Sequence, residues 1–217
     1  MRITRLEPSS AVVAAVSLVL FCILTAVVLG GRTAVADRHL IEVLRSGATP
    51  LFTTAMLATT LISGKLAIPA AMLFTYGLYR SEGRRAAWYY VAACLTAQLL
   101  NLILKYGIHR ARPHGISPKL TAAGGPSYPS ADVMMAIVVF GLGAWLLTRT
   151  MQSAGRRAAI RLVVVFYLIA AAIARVYLGA HWPSDVLGAA FIGVACSAFW
   201  TASALRDTRA TPLAPLR

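Results

Sequence analysis

Three short clusters of residues could do chemistry in this chain: Lys105 with Arg112-Pro113, then Pro129-Ser130-Ala131-Asp132, then Arg175 with His181 and Asp185. Each sits at the end of a long apolar run. Charge is expensive beside hydrocarbon, so ionisable groups at such positions face a polar cavity and serve a function. Three fixed cations, a serine beside a backbone turn, and a histidine followed four residues later by a carboxylate make a cradle for a phosphoryl group with a nucleophile aimed into it. The chemistry expected is phosphoryl transfer at a membrane.

The elements that must position these residues are membrane helices. Of 217 residues, 59% are hydrophobic and 13% charged, and the mean hydropathy is +0.71, outside the range of soluble domains. A span needs roughly 20 apolar residues to cross about 30 Å of hydrocarbon. Six stretches meet or approach that: Ala11–Gly31, Leu61–Leu78, Trp88–Leu104, Val133–Leu147, Leu162–Leu178 and Val186–Leu205. The fourth is short and is expected to borrow flanking residues. The segment from Asp37 to Arg45 alternates polar and apolar residues at helical spacing and is expected to lie along the outer interface. Ser63-Gly64-Lys65 interrupts an apolar run too long for one straight span and is expected to break or kink it. No repeat, low-complexity tract or linker divides the chain. Residues 1–217 therefore read as a single domain, an all-α bundle of six spans with an interfacial helix before the second.

A net charge of +14 suggests nucleic acid until its distribution is considered. Arg2, Arg5, Arg80, Arg84, Arg85, Arg149, Arg156, Arg157, Arg161, Arg206, Arg209 and Arg217 fall in the tails and connections of one side, which the positive-inside rule assigns to the cytoplasm. The other basic residues, among them Arg110 and Lys119, lie on the motif side or at its boundary. No aromatic-basic reading module accompanies them, and nucleic acid is not expected as a partner. The pattern predicts a multi-pass protein of the inner (plasma) membrane, both termini cytoplasmic and the three clusters extracytoplasmic. The basic start, apolar run and Ala34-Val35-Ala36 resemble a cleavable signal peptide, but the run exceeds the usual apolar core of such peptides, so a retained span is expected. Cys22, Cys94 and Cys196 all fall within predicted spans and read as small hydrophobes. No set of residues has metal-ligand spacing, and no cofactor or metal is expected.

Of the seven acidic residues, only Asp132 and Asp185 lie at the mouths of apolar spans. The bland reading makes both of them helix caps. For Asp185, Pro183 already marks a helix start at Trp182–Pro183, which puts the aspartate inside the first turn. For Lys105, Arg110 and Arg112 the bland reading is an anchor cluster that snorkels to the headgroups. It leaves Arg175 and His181 unexplained.

The string from Arg175 through His181-Trp-Pro-Ser-Asp185 resembles the third signature of the type 2 phosphatidic-acid phosphatase superfamily. Lys105-x₆-Arg112-Pro113 is similar to its first, and Tyr128-Pro129-Ser130 to the start of its second. The resemblance implies that His181 is the nucleophile, forming a phosphohistidine, and that Asp185 holds its other ring nitrogen. It implies that Lys105, Arg112 and Arg175 neutralise phosphoryl oxygens, with hydrogen bonds from Ser130 and the Ala131 backbone N–H.

Two positions depart from the family. Ala174 replaces a serine, a minor change. Asp132 stands where the family has the histidine that protonates the leaving group. Three options stay open for an enzyme: Asp132 is itself a protonated general acid, the leaving group needs no proton, or His109 or His114 supplies one. The expected function is hydrolysis of a lipid phosphate or diphosphate, with a polyprenyl diphosphate favoured because expelling a phosphate scarcely needs an acid. The alternatives are, in order, a phosphatidylglycerol phosphate-like lipid as substrate, phosphoryl transfer to another lipid, and a lapsed relative that binds phospholipid headgroups or a membrane partner without turnover. The expected partners are that lipid and the bilayer.

Overall fold

A computed structural model describes residues 7–114 and 124–210, with side chains over 10–114 and 124–203. Arg2, Arg5, Lys119 and Arg217, named above for their charge, lie outside the described residues, as do the side chains of Arg206 and Arg209.

The helices are α1 (Glu7–Leu29), α2 (Ala34–Ser46), α3 (Pro50–Ser63), α4 (Ala67–Glu82), α5 (Arg84–Ile108), α6 (Ala131–Ala136), α7 (Gly143–Thr148), α8 (Ala154–Tyr177) and α9 (Pro183–Ala210). A π-helical turn, Ile137–Leu142, joins α6 to α7 into one 18-residue span, Ala131–Thr148. That span gains Ala131, Asp132 and Thr148 over the apolar stretch read from sequence. Among the described residues five helices are long and apolar enough to cross a membrane, and α3 with α4, bent by 53° at their break, makes a sixth when the pair is counted as one span. Among the described residues the fold is an all-α membrane bundle with five spans, six when the bent pair is counted as one.

The bend falls at Ser63-Gly64-Lys65. Gly64 ends α3, its N–H still bonded to Thr60 O at 2.9 Å, and Ala67 N–H bonds Gly64 O at 3.2 Å to start α4. Pro69 follows in the first turn of α4, where its missing N–H costs nothing. At 13 residues α2 is too short to span. It lies across the motif end of the bundle, against α8 and α9, with Asp37 and Ile41 turned inward and Val35 and Val43 outward.

Outward faces are apolar and inward faces small. Ile68, Leu73, Leu95 and Val163 are among the most exposed residues, as hydrocarbon requires, whereas Ala93, Ala97 and Ala189 are fully buried and let helices approach closely. Widening a helix to π geometry displaces carbonyls from their usual partners. The buried Tyr90 hydroxyl donates to Val139 O within that turn at 3.0 Å. At the other end Arg149 bonds Glu82 at 2.6 Å, tying the α4–α5 and α7–α8 connections together. The three motifs gather at the opposite end of the bundle from that pair.

Tyr128 links the motif end to the bundle core. It is fully buried, donates to or accepts from Thr25 of α1 at 2.9 Å, and stacks on Phe21 at 6.0 Å. It fits only because residue 188 is glycine: a Cβ there would come within 2.6 Å of Tyr128 Cζ. Gly188→Ala should therefore cost about 1–3 kcal/mol of overpacking. At Gly77 a Cβ would meet nothing closer than the Leu147 methyls at 3.5 Å, so Gly77→Ala should be near neutral. Thermal unfolding of the two variants in detergent checks this; equal midpoints would contradict the packing described.

Candidate active site

The third motif is built by a tight turn between α8 and α9. Arg175 sits in the last turn of α8, and its carbonyl receives the N–H groups of both Ala180 (3.0 Å) and His181 (3.2 Å). Gly179, at φ 72°, supplies the left-handed backbone the reversal needs. Pro183 then starts α9. Asp185, on its first turn, reaches back to accept the Trp182 N–H at 2.9 Å, as the acid of a capping box does. That return places Asp185 Oδ2 3.5 Å from His181 Nδ1. The contact is longer than a formed hydrogen bond, and Nδ1 is buried with no other partner. Asp185 is thus not the N-cap of the bland reading but lies inside the first turn, as Pro183 implied, where it closes the capping box and stands behind the histidine.

The first motif begins with Lys105 in the last turn of α5, which His109 ends in a left-handed conformation (φ 51°), its N–H on Lys105 O. Lys105 and Arg112 do not snorkel outward; they fold onto the backbone of the second motif. Lys105 Nζ donates to Pro126 O at 2.7 Å and Pro129 O at 3.3 Å. Arg112 donates to Gly125 O at 3.0 Å, Gly124 O at 3.2 Å and, from Nη1, to Ala180 O at 2.8 Å. The same Nη1 lies 3.2 Å from His181 Nε2. Because a guanidinium can only donate, Nε2 carries the lone pair and Nδ1 the proton, which faces Asp185. This is the tautomer an attacking Nε2 needs.

In the second motif, Ser130 is the N-cap of α6 without a side-chain cap bond. Its N–H is spent on Asp185 O at 3.2 Å, while its Oγ is buried without a partner. Asp132 is not the cap; it lies in the first turn and pairs with Arg175 Nη2 at 2.6 Å, leaving Arg175 Nε buried and unpartnered. The pairing is a role for the ionised carboxylate. The His109 and His114 side chains are exposed and, among the described residues, make none of the site's side-chain hydrogen bonds.

Burial dominates the histidine's protonation. His181 is 1% exposed, and desolvation pushes its pKa down to about 4; Asp185 opposes that shift, and Arg175 and Arg112 reinforce it. At neutral pH the imidazole is uncharged and nucleophilic. The arrangement brings together Lys105, Arg112, Ser130, Asp132, Arg175, His181 and Asp185, but neither His109 nor His114: a neutral, oriented imidazole, three guanidinium or ammonium groups, and unpartnered Ser130 Oγ and Arg175 Nε. Two residues were not anticipated. Arg110, read as an anchor, bonds Asp185 Oδ1 at 2.6 Å, and Asp37, read as the polar face of an interfacial helix, bonds Arg110 Nη2 at 2.8 Å. Only the i,i+2 placement of Arg110 beside Arg112 hinted at its inward role.

A histidine whose folded pKa lies below its unfolded value near 6.5 makes the unfolded chain bind more protons between the two values. Its contribution to stability is present above about pH 6.5 and is lost as pH falls toward 4. The unfolding free energy in mixed micelles should drop more steeply over that window in the native chain than in His181→Gln. Parallel curves would contradict a buried neutral imidazole.

The comparisons with known proteins agree with the fold. A solved structure described as the first transmembrane PAP2 type phosphatidylglycerolphosphate phosphatase, from Bacillus subtilis, superposes with a TM-score of 0.78 at 20% identity, over 94% of this chain and 98% of the other. Aquifex aeolicus LpxE superposes with a TM-score of 0.59 at 20% identity, over 75% and 93%. At that identity both establish the fold. Phosphatidylglycerophosphatase B of Bacillus subtilis (strain 168) is 32% identical over 100 residues, 46% of this chain and 48% of the relative, so the match spans about half of each. The PAP2 superfamily profile matches residues 86–209, which contain all three motifs and more than half of the sequence, and the chain belongs to that superfamily.

Proposed function

We propose that the protein is an integral-membrane lipid phosphate and diphosphate phosphohydrolase that works through a phosphohistidine on His181, without a metal, at the extracytoplasmic face. The observation that carries this reading is the junction of charge and oil. Ala131 and Asp132, at the edge of the charged cluster, also line a groove of about 840 Å³ whose walls include Ile68, Met72, Val91 and Leu95. A phosphate head in the cluster and a hydrocarbon tail in the groove fit one amphipathic molecule, which neither a soluble phosphate ester nor an apolar lipid would match.

In the proposed step His181 Nε2 attacks phosphorus and the bond to the leaving oxygen breaks. Asp185 stabilises the imidazolium charge that develops as the P–N bond forms. Lys105, Arg112 and Arg175, with Ser130 Oγ, neutralise and hold the phosphoryl oxygens, and the Ala131 N–H lies at the adjoining helix start. Water then attacks phosphorus, returns Nε2 and releases phosphate. The three cations take the charge-neutralising part that a divalent ion plays in many phosphoryl-transfer sites, which is why metal independence belongs to the proposal. The clustering of basic residues at the end opposite the motifs supports the sidedness.

Asp132 points to the substrate class. Paired with Arg175 as a carboxylate, it is poorly suited to donate a proton. A diphosphate releases an already stabilised phosphate, whereas a phosphomonoester must expel an alkoxide, so a polyprenyl diphosphate is the favoured substrate. A second reading, phosphatidylglycerophosphate, is supported by the Bacillus relative's being a phosphatidylglycerophosphatase. A lapsed binding protein is disfavoured by an orienting carboxylate placed behind a neutral nucleophile. Transfer to a second lipid would use the same phosphohistidine with another acceptor.

Phosphate release from purified polyprenyl diphosphate, polyprenyl monophosphate and phosphatidylglycerophosphate, each in EDTA, tests the proposal. The diphosphate should be fastest, His181→Ala should abolish all three, and Asp132→His should raise the monoesters preferentially, toward the ~10²–10⁴-fold that general-acid help supplies. Monoester preference with a severe Asp132→Asn defect would install Asp132 as the acid and displace the diphosphate reading. Activity in His181→Ala, or its loss in EDTA, would refute the mechanism.

A further inference from the structure

Behind Asp185 lies a second tier of buried charge that the proposed step does not use. Asp185, with a side chain fully shielded from solvent, offers Oδ1 to Arg110 Nη1 at 2.6 Å. The same Nη1 donates to Ser184 Oγ at 2.7 Å. Arg110 Nη2 turns the other way, to Asp37 Oδ2 at 2.8 Å and Thr33 Oγ1 at 3.1 Å. Asp37 is itself satisfied from α9: its Oδ1 accepts the Ser184 N–H at 2.8 Å and its Oδ2 the Ser184 hydroxyl at 2.6 Å. Arg110 also stacks over Trp182, 5.7 Å from the ring centroid. One guanidinium is therefore shared between two buried carboxylates, one on the interfacial helix α2 and one behind the histidine.

We infer that Asp37 and Arg110 are positioning residues of the reaction: α2 supplies a carboxylate that fixes Arg110, which fixes the orientation and charge of Asp185 and through it the His181 ring. The inference rests on the phosphohistidine reading above. Three features separate it from simple docking of α2. Arg110 occupies one oxygen of Asp185 and leaves the other to Trp182 N–H and the imidazole, so it selects the carboxylate's rotamer. The contact is charge-assisted and short, the strong kind of hydrogen bond. And the docking itself is already served by the buried Ile41 of the same helix, which joins the main apolar core. Groups that orient a reactive histidine's partner are commonly worth 10–100-fold in activity where such supporting contacts have been removed from metal sites, and a comparable figure is expected here.

The two charges predict opposite electrostatic effects on His181. It faces Asp185 on α9, Arg112 after α5 and Arg175 on α8; Lys105 on α5 and Asp132 on α6 border the same cluster. Removing Arg110 leaves Asp185 less compensated and favours the imidazolium. Removing the Asp37 charge leaves Arg110 to act on Asp185 alone and disfavours it.

Steady-state kinetics on a lipid diphosphate, with thermal midpoints and pH profiles, test the inference in Arg110→Gln, Asp37→Asn, Asp37→Glu and Arg110→Ala with added guanidinium. The expected result is a fall in kcat of roughly 10–100-fold with KM within about twofold. The acid limb of kcat should move to higher pH in Arg110→Gln and to lower pH in Asp37→Asn. Guanidinium should restore part of the kcat of Arg110→Ala, and Asp37→Glu should recover more than Asp37→Asn. Losses that follow the thermal midpoint with an unmoved acid limb would reduce the network to a structural clamp and overturn the inference. Should Arg110 variants not fold, the Asp37 pair decides the matter by the same limb and rescue criteria. His181→Ala separates the two levels: if it is inactive while these variants are wild-type-like, only the positioning claim fails; if it is active, both fail.

Discussion

Compensated charge at the end of an oil-facing bundle is the constraint on which the structure depends. Lys105, Arg110, Arg112 and Arg175 meet Asp37, Asp132 and Asp185 within one cluster, on helices whose outer faces are exposed valine, leucine and isoleucine. An isolated ion there would neutralise or drag water with it. Each cation is instead held by a carboxylate or by loop carbonyls, and each carboxylate by a cation or backbone N–H groups. Backbone geometry follows from that requirement. The turn after α8, the left-handed end of α5 and the start of α6 are all shaped so that their free carbonyls and N–H groups meet the cluster.

The same bonds serve both fold and chemistry. Lys105 and Arg112 tie residues 124–129 into place through carbonyl oxygens, which in the proposed mechanism leaves the cations pre-assembled around His181 with little reorganisation at the moment of reaction. Arg112 also selects the imidazole tautomer, and burial keeps the ring neutral. Asp132 and Arg175 offset one another, so the cluster is less repulsive than three bare cations would be. Arg175 Nε and Ser130 Oγ are buried polar groups that lack partners, and in the proposed reading they are the ones a phosphate would satisfy.

Much of this was legible in the sequence because it is local. Five of the six apolar runs fall on helices long and apolar enough to cross, while Leu61–Leu78 straddles the bend between α3 and α4; that break at Ser63-Gly64-Lys65 was readable from a glycine in a run too long for one crossing. Pro183 placed Asp185 inside the first turn of α9, and i,i+4 spacing put it on the histidine's side. The role of Asp37 was not legible, since its partners Arg110 and Ser184 lie 73 and 147 residues away and its own helix reads as an amphipathic strip. Arg110 failed for the same reason: a basic residue at a membrane boundary looks like an anchor until its partner is known. Asp132 read as a cap or an acid, and its pairing with Arg175, 43 positions on, is again long-range. Periodicity and short motifs encode faces and turns; they do not encode which two distant carboxylates share one guanidinium.

A structure of the protein with bound orthovanadate, which mimics the five-coordinate phosphoryl centre, tests the central claim most directly. The account predicts vanadium bonded to His181 Nε2 in trigonal-bipyramidal geometry, its equatorial oxygens contacted by Lys105, Arg112, Arg175 and Ser130 Oγ, with Asp185 on the Nδ1 side. Vanadate bound away from Nε2, or in that cluster with the histidine ring turned aside, would contradict it.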